Sequence, residues 1–440
     1  MLTVLRNRTY RRLFLAQVIA LTGTGLMTVA LALLAFELAG DEAGVVLGTA
    51  LAIKMIVYVG FAPFAGVIAS RMPRRTFLVA LDVVRAALVL ALPFVDAVWQ
   101  IYVIVAVLQT ASALFTPTFQ ATISDILTDE RDYTRALALS RLAYDLENLL
   151  SPALAAVLVA LVGFPWLFAG TAIGFLLSAA LVILVRLPAL HARRDRLQSV
   201  ARGLRVYRET PRLRGVFAVN LAVAAAGAMV LVNTVVLVRG ILGLDDTAVA
   251  VALSAFGGGS MLAALALPRL LERTGDRTVM IAAAAGAAVL LLAGSPVLAF
   301  AGSAALWPAL LSLWAMLGFC YAAAQVPVGR VLRRSSHSED RPAVFAAQFS
   351  LSHAGWLVAY PLAGWLGEAA GMPTTFLVFG GLAALATAMA SWVWPRPDPE
   401  ILAHDHPDLA PDHPHLAGAG PHAHAYVVDD LHLRWPDPAR

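Results

Sequence analysis

Apolar residues run along this chain in blocks of about 20 or more, long enough to cross the hydrocarbon core of a bilayer, and the blocks recur twelve times. They cover 13–39, 44–70, 76–95, 98–126, 136–162, 167–190, 213–240, 248–271, 278–300, 304–332, 344–370 and 373–394. The pattern predicts an all-α polytopic membrane protein with twelve transmembrane helices. The polar breaks alternate in charge. Arg6, Arg8, Arg11 and Arg12 precede the first block, Arg71, Arg74 and Arg75 follow the second, and arginines from Arg193 to Arg214 crowd the middle. Arg269, Arg273 and Arg277 follow the eighth block, and Arg333, Arg334 and Arg341 the tenth. The breaks on the other side carry Asp41, Glu42, Asp96, Asp245 and Asp246. Positive charge stays inside, so both termini are expected in the cytoplasm. The first block is too long for a signal peptide and lacks a cleavage site after it, so it is expected to remain.

Composition agrees: 60% of residues are hydrophobic and only 14% charged, outside the range of a soluble domain. With arginine placed by topology, the net charge of +4 argues for a lipid bilayer as partner and against nucleic acid. One cysteine, Cys320, excludes an intrachain disulfide. No phosphate-binding glycine loop with lysine and no hydrolytic constellation is present, so no enzyme is expected, and no cofactor beyond a bound or transported metal ion. The chain is expected to act as a monomer.

The sequence divides into six blocks at 1–190, a basic linker at 191–214, six blocks at 215–394 and a tail at 395–440. "GVIASRMPRR" (66–75) and "PRLLERTGDR" (268–277) superpose at an offset of 202, matching Arg71 with Arg273 and Arg75 with Arg277. Duplicated halves with a midplane site between them are a common transporter plan. At Gly66, Arg71, Arg74 and Arg75 the chain resembles the major facilitator superfamily, whose loop between helices 2 and 3 carries Gly-x-x-x-Asp-Arg-x-Gly-Arg-Arg. Ser70 stands where that motif has its acid, and Pro73 where it has glycine. The second copy is expected to restore the acid as Glu272 beside Arg273 and Arg277. The resemblance implies two six-helix bundles, gated at these loops and coupled to protons.

Helix 4, "IYVIVAVLQTASALF", lacks the arginine of the superfamily's proton-coupled drug exporters, and helix 5, "ENLLSPALAA", keeps only Pro152 of their Gly-Pro element. The segment 121–156 together with a histidine-rich tail resembles bacterial nickel-resistance exporters, which implies efflux of nickel, and also of cobalt. The alternative is a proton-coupled exporter of an organic drug or metabolite with a regulatory metal-binding tail; a third reading is a sensor built on an inactive transporter body.

The tail speaks for metal by itself. The pairs His404/His406, His413/His415 and His422/His424 repeat every nine residues, with His432 beyond them. Neutral imidazoles bind nickel, zinc and copper(II), aspartates 405, 408, 412, 429 and 430 can add oxygens, and residues 395–440 hold no soft sulfur ligand. Prolines and glycines between the pairs predict a disordered tail of interchangeable sites.

Within the blocks, ionisable residues are costly enough to require a role. Asp145, Glu147 and Asn148 in helix 5 are candidate oxygen ligands, with Arg141 and Asp145 spaced to pair within the helix. His353 in helix 11 lies opposite Ser151 at the 202 offset, within a turn of Glu147 on the repeat-related helix. Asn220, Asn233 and Gln325 are further cavity candidates, although amides also glue helices together. Met316 and Cys320 share a face of helix 10, where core packing competes with a soft site. Lys54, the only lysine, requires a carboxylate partner such as Asp82 or Glu37, or exchanges a proton. Asp82 and Arg85, three residues apart, are expected to pair with one another, which leaves Lys54 searching further.

Overall fold

The computed structural model describes residues 2–39, 43–69, 71–187, 198–300, 303–406, 415 and 422–436. Twelve long helices cross it. α1 is Arg8–Ala39, α2 Ala43–Phe61, α3 Arg74–Ala91, α4 Val98–Ile126, α5 Glu130–Val162 and α6 Pro165–Ile183. After a linker helix, Gln198–Glu209, come α7 Pro211–Val235, α8 Asp246–Leu271, α9 Asp276–Phe300 and α10 Ser303–Gln325. The stretch Arg341–Val393 holds α11 (341–370) and α12 (372–393), which meet at Gly371 with φ 76°. Only glycine takes that backbone without strain.

Local chemistry explains several boundaries. Asp129 caps α5 by accepting from the Asp132 amide at 2.9 Å, and Asp245 caps α8 through Ala248 at 2.9 Å. Proline opens α6 and α7, where no amide partner is required. Gly163, φ 84°, ends α5. The second apolar block stops as a regular helix at Phe61, because Pro63 starts a 3-10 turn that leads into Ala65–Ala69. α5 starts six residues before its apolar block, since its first turns carry the charges of one face.

Helices α1 and α6, α3 and α6, and α2 and α4 pack within the first half; α7 with α11, α8 with α10, and α9 with α12 pack within the second. Small residues permit the tightest contacts. A Cβ on Gly259 of α8 would strike the Ala315 backbone of α10, and one on Gly318 of α10 would strike Phe256. The halves meet where α5 crosses α8 and α2 crosses α11.

The tail departs from expectation. Ile401–His404 and His422–Ala425 form an antiparallel hairpin, β1 and β2, with His404 opposite His422. Tyr426, Val427 and Val428 are buried, and Val428 joins the core of the second half. The apolar "AYVV" and the strand pairing supply the buried surface that a proline-and-histidine count conceals.

Candidate functional site

Lys54 of α2 lies at the α2–α11 seam, coupled to one group of its own half and one across the seam. Glu147 of α5 is the carboxylate whose charge acts on it, and His353 of α11 feels the Lys54 charge. Glu147 backs onto Gly25 of α1, whose missing side chain leaves room for the carboxylate and for Ser151. His353 Nδ1 lies 2.7 Å from the Phe349 carbonyl, which can only accept. The ring therefore donates from Nδ1 and keeps its Nε2 lone pair free to bind. Tyr58 packs its ring against His353 at 4.8 Å and donates to Gln109 at 3.0 Å.

Two residues before Glu147 on α5, Asp145 accepts from Arg141 at 2.5 Å and from Ser260 of α8 at 2.6 Å. This polar knot joins the halves. Arg141 also lies over the Tyr321 ring of α10, 4.7 Å away. From Tyr321 an aromatic run leads to Phe256, Trp356 and Tyr360.

Other sequence candidates lie elsewhere. Asp82 is fully buried inside the first half, held by Arg85 and by Ser178 at 2.8 Å, so it is not the partner of Lys54. Arg85 in turn is sandwiched by Phe115 and Phe175. Glu37 is exposed. Asn233 ties α7 to the Ala363 carbonyl of α11 at 3.3 Å. Asn220 is buried on α7 with neither amide atom bonded among the described residues. Gln325 ends α10, half-buried. Met316 is exposed while Cys320 abuts Gly286 of α9, so the pair does not make one soft site. The Asn148 side chain lies outside the described residues, as does His413.

The arginine-rich face carries a latch that the motif only half announced. Arg74, at the start of α3, binds Asp125 at the end of α4 at 2.6 Å, and Asp125 binds Arg341 at the start of α11 at 2.5 Å. Across the pseudo-symmetry the signs invert. Asp276, at the start of α9, binds Arg330 beyond α10 at 2.8 Å, and Arg330 binds Glu130 at the start of α5 at 2.7 Å. The 202 offset superposes Arg74 on Asp276. Each relay ends in an ion pair between halves. Arg333 adds a bond to the Leu127 carbonyl at 2.8 Å. Arg71, Arg75, Glu272 and Arg273 are exposed, and Gly66 lies in the short Ala65–Ala69 helix. Arg277 holds the end of α12 through the carbonyls of Ser391 and Trp394. The acid expected at Glu272 is therefore supplied by Asp276, one helical turn on.

On the same face, the hairpin gathers six imidazoles. His404, His406, His415 and His422 form one set, and His404, His415, His424 and His432 another, with ligand atoms in each set within 4.8 Å of one another. No other such group of three or more ligands occurs among the described residues. Burial, with neighbouring imidazoles adding to it, keeps His406, His415 and His422 below the ordinary histidine value. Burial also holds His432 down to about 4 against the pull of Asp429. These rings are thus neutral, the form that binds metal. The tail docks through Asp430 to Arg202 of the linker helix at 2.5 Å, and through Trp435 over Arg212 at 4.7 Å.

The family model of the Major Facilitator Superfamily matches residues 13–237 and again 216–411. Macrolide efflux protein A of Streptococcus pyogenes is 26% identical over 164 residues, 35% of this chain and 40% of that protein. An uncharacterized MFS-type transporter of Bacillus subtilis, YfiS, is 31% identical over 126 residues, 29% of this chain and 30% of its own. The chain thus spans well under half the length of these relatives. Among solved structures, the human organic anion transporter MFSD10 superposes with a TM-score of 0.72 at 15% identity, over 87% of this chain and 99% of its own. A bacterial homologue of the iron transporter ferroportin, in an outward-facing state, gives 0.66 at 15%, over 88% and 98%. At that identity the likeness shows the fold alone. With its twofold family match, twelve helices and a latch between two halves, this chain belongs to the Major Facilitator Superfamily of membrane transporters.

Proposed function

We propose that this transporter exports divalent metal cations, nickel or cobalt foremost, from the cytoplasm in exchange for protons, with its arginine-rich face and both termini cytoplasmic. The observation that carries the reading is the gathering of six imidazoles within a few ångströms, on the face that also bears the latch. Opening the two inter-half pairs admits an ion to the seam. There the ion competes with Lys54 for Glu147, whose charge offsets its own, while His353 Nε2 offers a nitrogen ligand. A proton arriving on Glu147 or His353 from the other side releases the ion.

A second reading is an organic cargo with the histidine centre as regulator. The aromatic run from Phe256 to Tyr360 favours it, as do the relatives named for macrolide efflux, and no three-ligand group lies inside the membrane among the described residues. Proteoliposomes with an imposed proton gradient decide, assayed with nickel, cobalt, zinc and a macrolide. Gradient-driven metal flux supports the first reading; macrolide flux without metal flux replaces it by the second.

A further inference from the structure

The six imidazoles are not equivalent. His404, His424 and His432 each place Nδ1 against an oxygen that can only accept: the Leu402 carbonyl at 3.0 Å, the Ala425 carbonyl at 2.9 Å and Asp429 Oδ1 at 2.9 Å. Each of these rings therefore donates from Nδ1 and turns an Nε2 lone pair inward. His404 Nε2 faces His432 Nε2 at 3.0 Å, and His424 Nε2 faces His415 Nε2 at 3.2 Å. Lone pairs held this close repel unless a proton or a cation lies between them. Two nitrogens bound to one tetrahedral ion at about 2.0–2.1 Å sit about 3.3 Å apart, close to these spacings. An oxygen behind each ligating ring is the usual outer shell of a metal site. His422 Nε2 also faces His415 Nε2 at 3.2 Å, but no oxygen backs its Nδ1, and His406 Nε2 has no partner among the described residues, so these two rings are not oriented in the same way.

The outer shell leads back to the latch. Asp429 also binds His337, in the segment between α10 and α11, at 3.2 Å. The Tyr426 amide donates to the Glu400 carbonyl at 3.0 Å, which sets the approach of Glu400 to Arg334 at 3.0 Å. Arg334 contacts Asp398 at 3.4 Å and Asp276 at 3.3 Å. Asp276 is the latch residue that holds Arg330. While the tail supplies Glu400 and Asp398, Arg334 is satisfied and Asp276 remains with Arg330. If the tail withdraws, Arg334 competes for Asp276 and draws it from Arg330, whose placement against Glu130 rests on that contact.

We propose that His404, His415, His424 and His432 form a resident site for one borderline divalent ion, such as zinc, nickel or copper(II), and that filling it braces the latch through Asp429–His337 and Glu400–Arg334. The proposal shares the metal chemistry of the reading above but not its cargo. It replaces interchangeable collecting sites by one built site with a regulatory output.

The test uses the full chain in lipid nanodiscs at neutral pH, with nickel chloride or zinc chloride as probe. Competition with a chromophoric chelator is expected to show one tight ion per chain. His424→Ala is expected to weaken it at least tenfold and His406→Ala by less. Asp429→Asn, which removes an outer-shell acceptor, is expected to weaken it about tenfold. Hydrogen exchange is read in the same samples. Metal is expected to slow exchange in residues 328–341 as well as in the hairpin, and in Asp429→Asn at saturating metal the hairpin keeps its protection while 328–341 loses it. Equal losses of affinity in the His406 and His424 variants overturn the assignment of the four ligands. Protection confined to the hairpin in the unmodified protein overturns the brace. Neither readout measures flux, so a failure of the cargo reading leaves this result intact, and the reverse also holds.

Discussion

Lys54, Glu147 and His353 come from three helices and both halves, and their value lies in mutual dependence. Removing the carboxylate takes away an opposite charge that acts on Lys54 in the membrane, and removing the imidazole deletes an oriented lone pair near it. Glu147→Gln and His353→Ala are each expected to reduce proton-driven metal flux in proteoliposomes at least tenfold at normal protein abundance; unchanged flux in both would reduce them to packing residues. Which residues carry charge was readable from the sequence, as were the pairs within one helix, Arg141–Asp145 and Arg85–Asp82; contacts between helices were not. Arg85 takes Asp82, three residues before it, as the spacing led one to expect, while the carboxylate whose charge acts on Lys54, Glu147, is 93 positions away in the chain. In the tail, His432 has its folded value near 4 because of burial, so the neutral ring stabilises docking above the ordinary 6.5 and that stability is lost as pH falls from 6.5 toward 4. His337 is raised, first by its hydrogen bond to Asp429; its contribution is complete below 6.5 and fades as pH rises past its folded value. Limited proteolysis of metal-free protein is therefore expected to release the tail faster as pH drops from 6.5 to 4, and a rate independent of pH would contradict the burial of His432.

At the scale of elements, the two relays carry opposite signs at the same repeat position. In the first half the basic member is Arg74, so the acid must come from Asp125; in the second the acid is Asp276, and the base comes from Arg330. The offset of 202 exposed the repeat, but a linear motif records only one side of each contact, which is why Glu272 was the expected acid and Asp276 the actual one. Asp125→Asn leaves Arg74 and Arg341 facing each other without a counter-charge. Breaking a buried pair in this way costs about 3–5 kcal/mol, and less here because Arg341 and Asp125 retain some exposure. Ala346 of α11, fully buried in the core of the first half, reports the outcome. With Cys320 replaced by serine, thiol labelling of Ala346→Cys is expected to accelerate several-fold when Asp125→Asn is added. An unaltered rate would show that the relay does not hold the halves together.

For the whole molecule, the twelve helices were legible because a bilayer imposes a length and an apolarity that no other environment asks of a sequence. The tail was misread because its folding depends on partners outside it. Val428 and Trp435 pack on the second half, and the buried Arg202 and Arg212 meet Asp430 and Trp435 from 220 or more positions away in the chain. A segment whose order comes from docking and from an ion is expected to show linkage between that ion and the stability of the body. Bound to the native form alone, an ion at a hundred times its Kd stabilises by about 2.7 kcal/mol, and at a thousand times by about 4.1. Nickel or zinc is therefore expected to raise the melting temperature of the full chain by several degrees, with the rise growing as the logarithm of metal concentration. Deleting residues 401–440 should abolish that rise and also lower the metal-free melting temperature, because Arg212 loses Trp435 and Val428 leaves the core. A truncated chain that melts where the full chain does, and still responds to metal, would mean that the tail neither docks nor holds the ion, and that the metal acts within the membrane body alone.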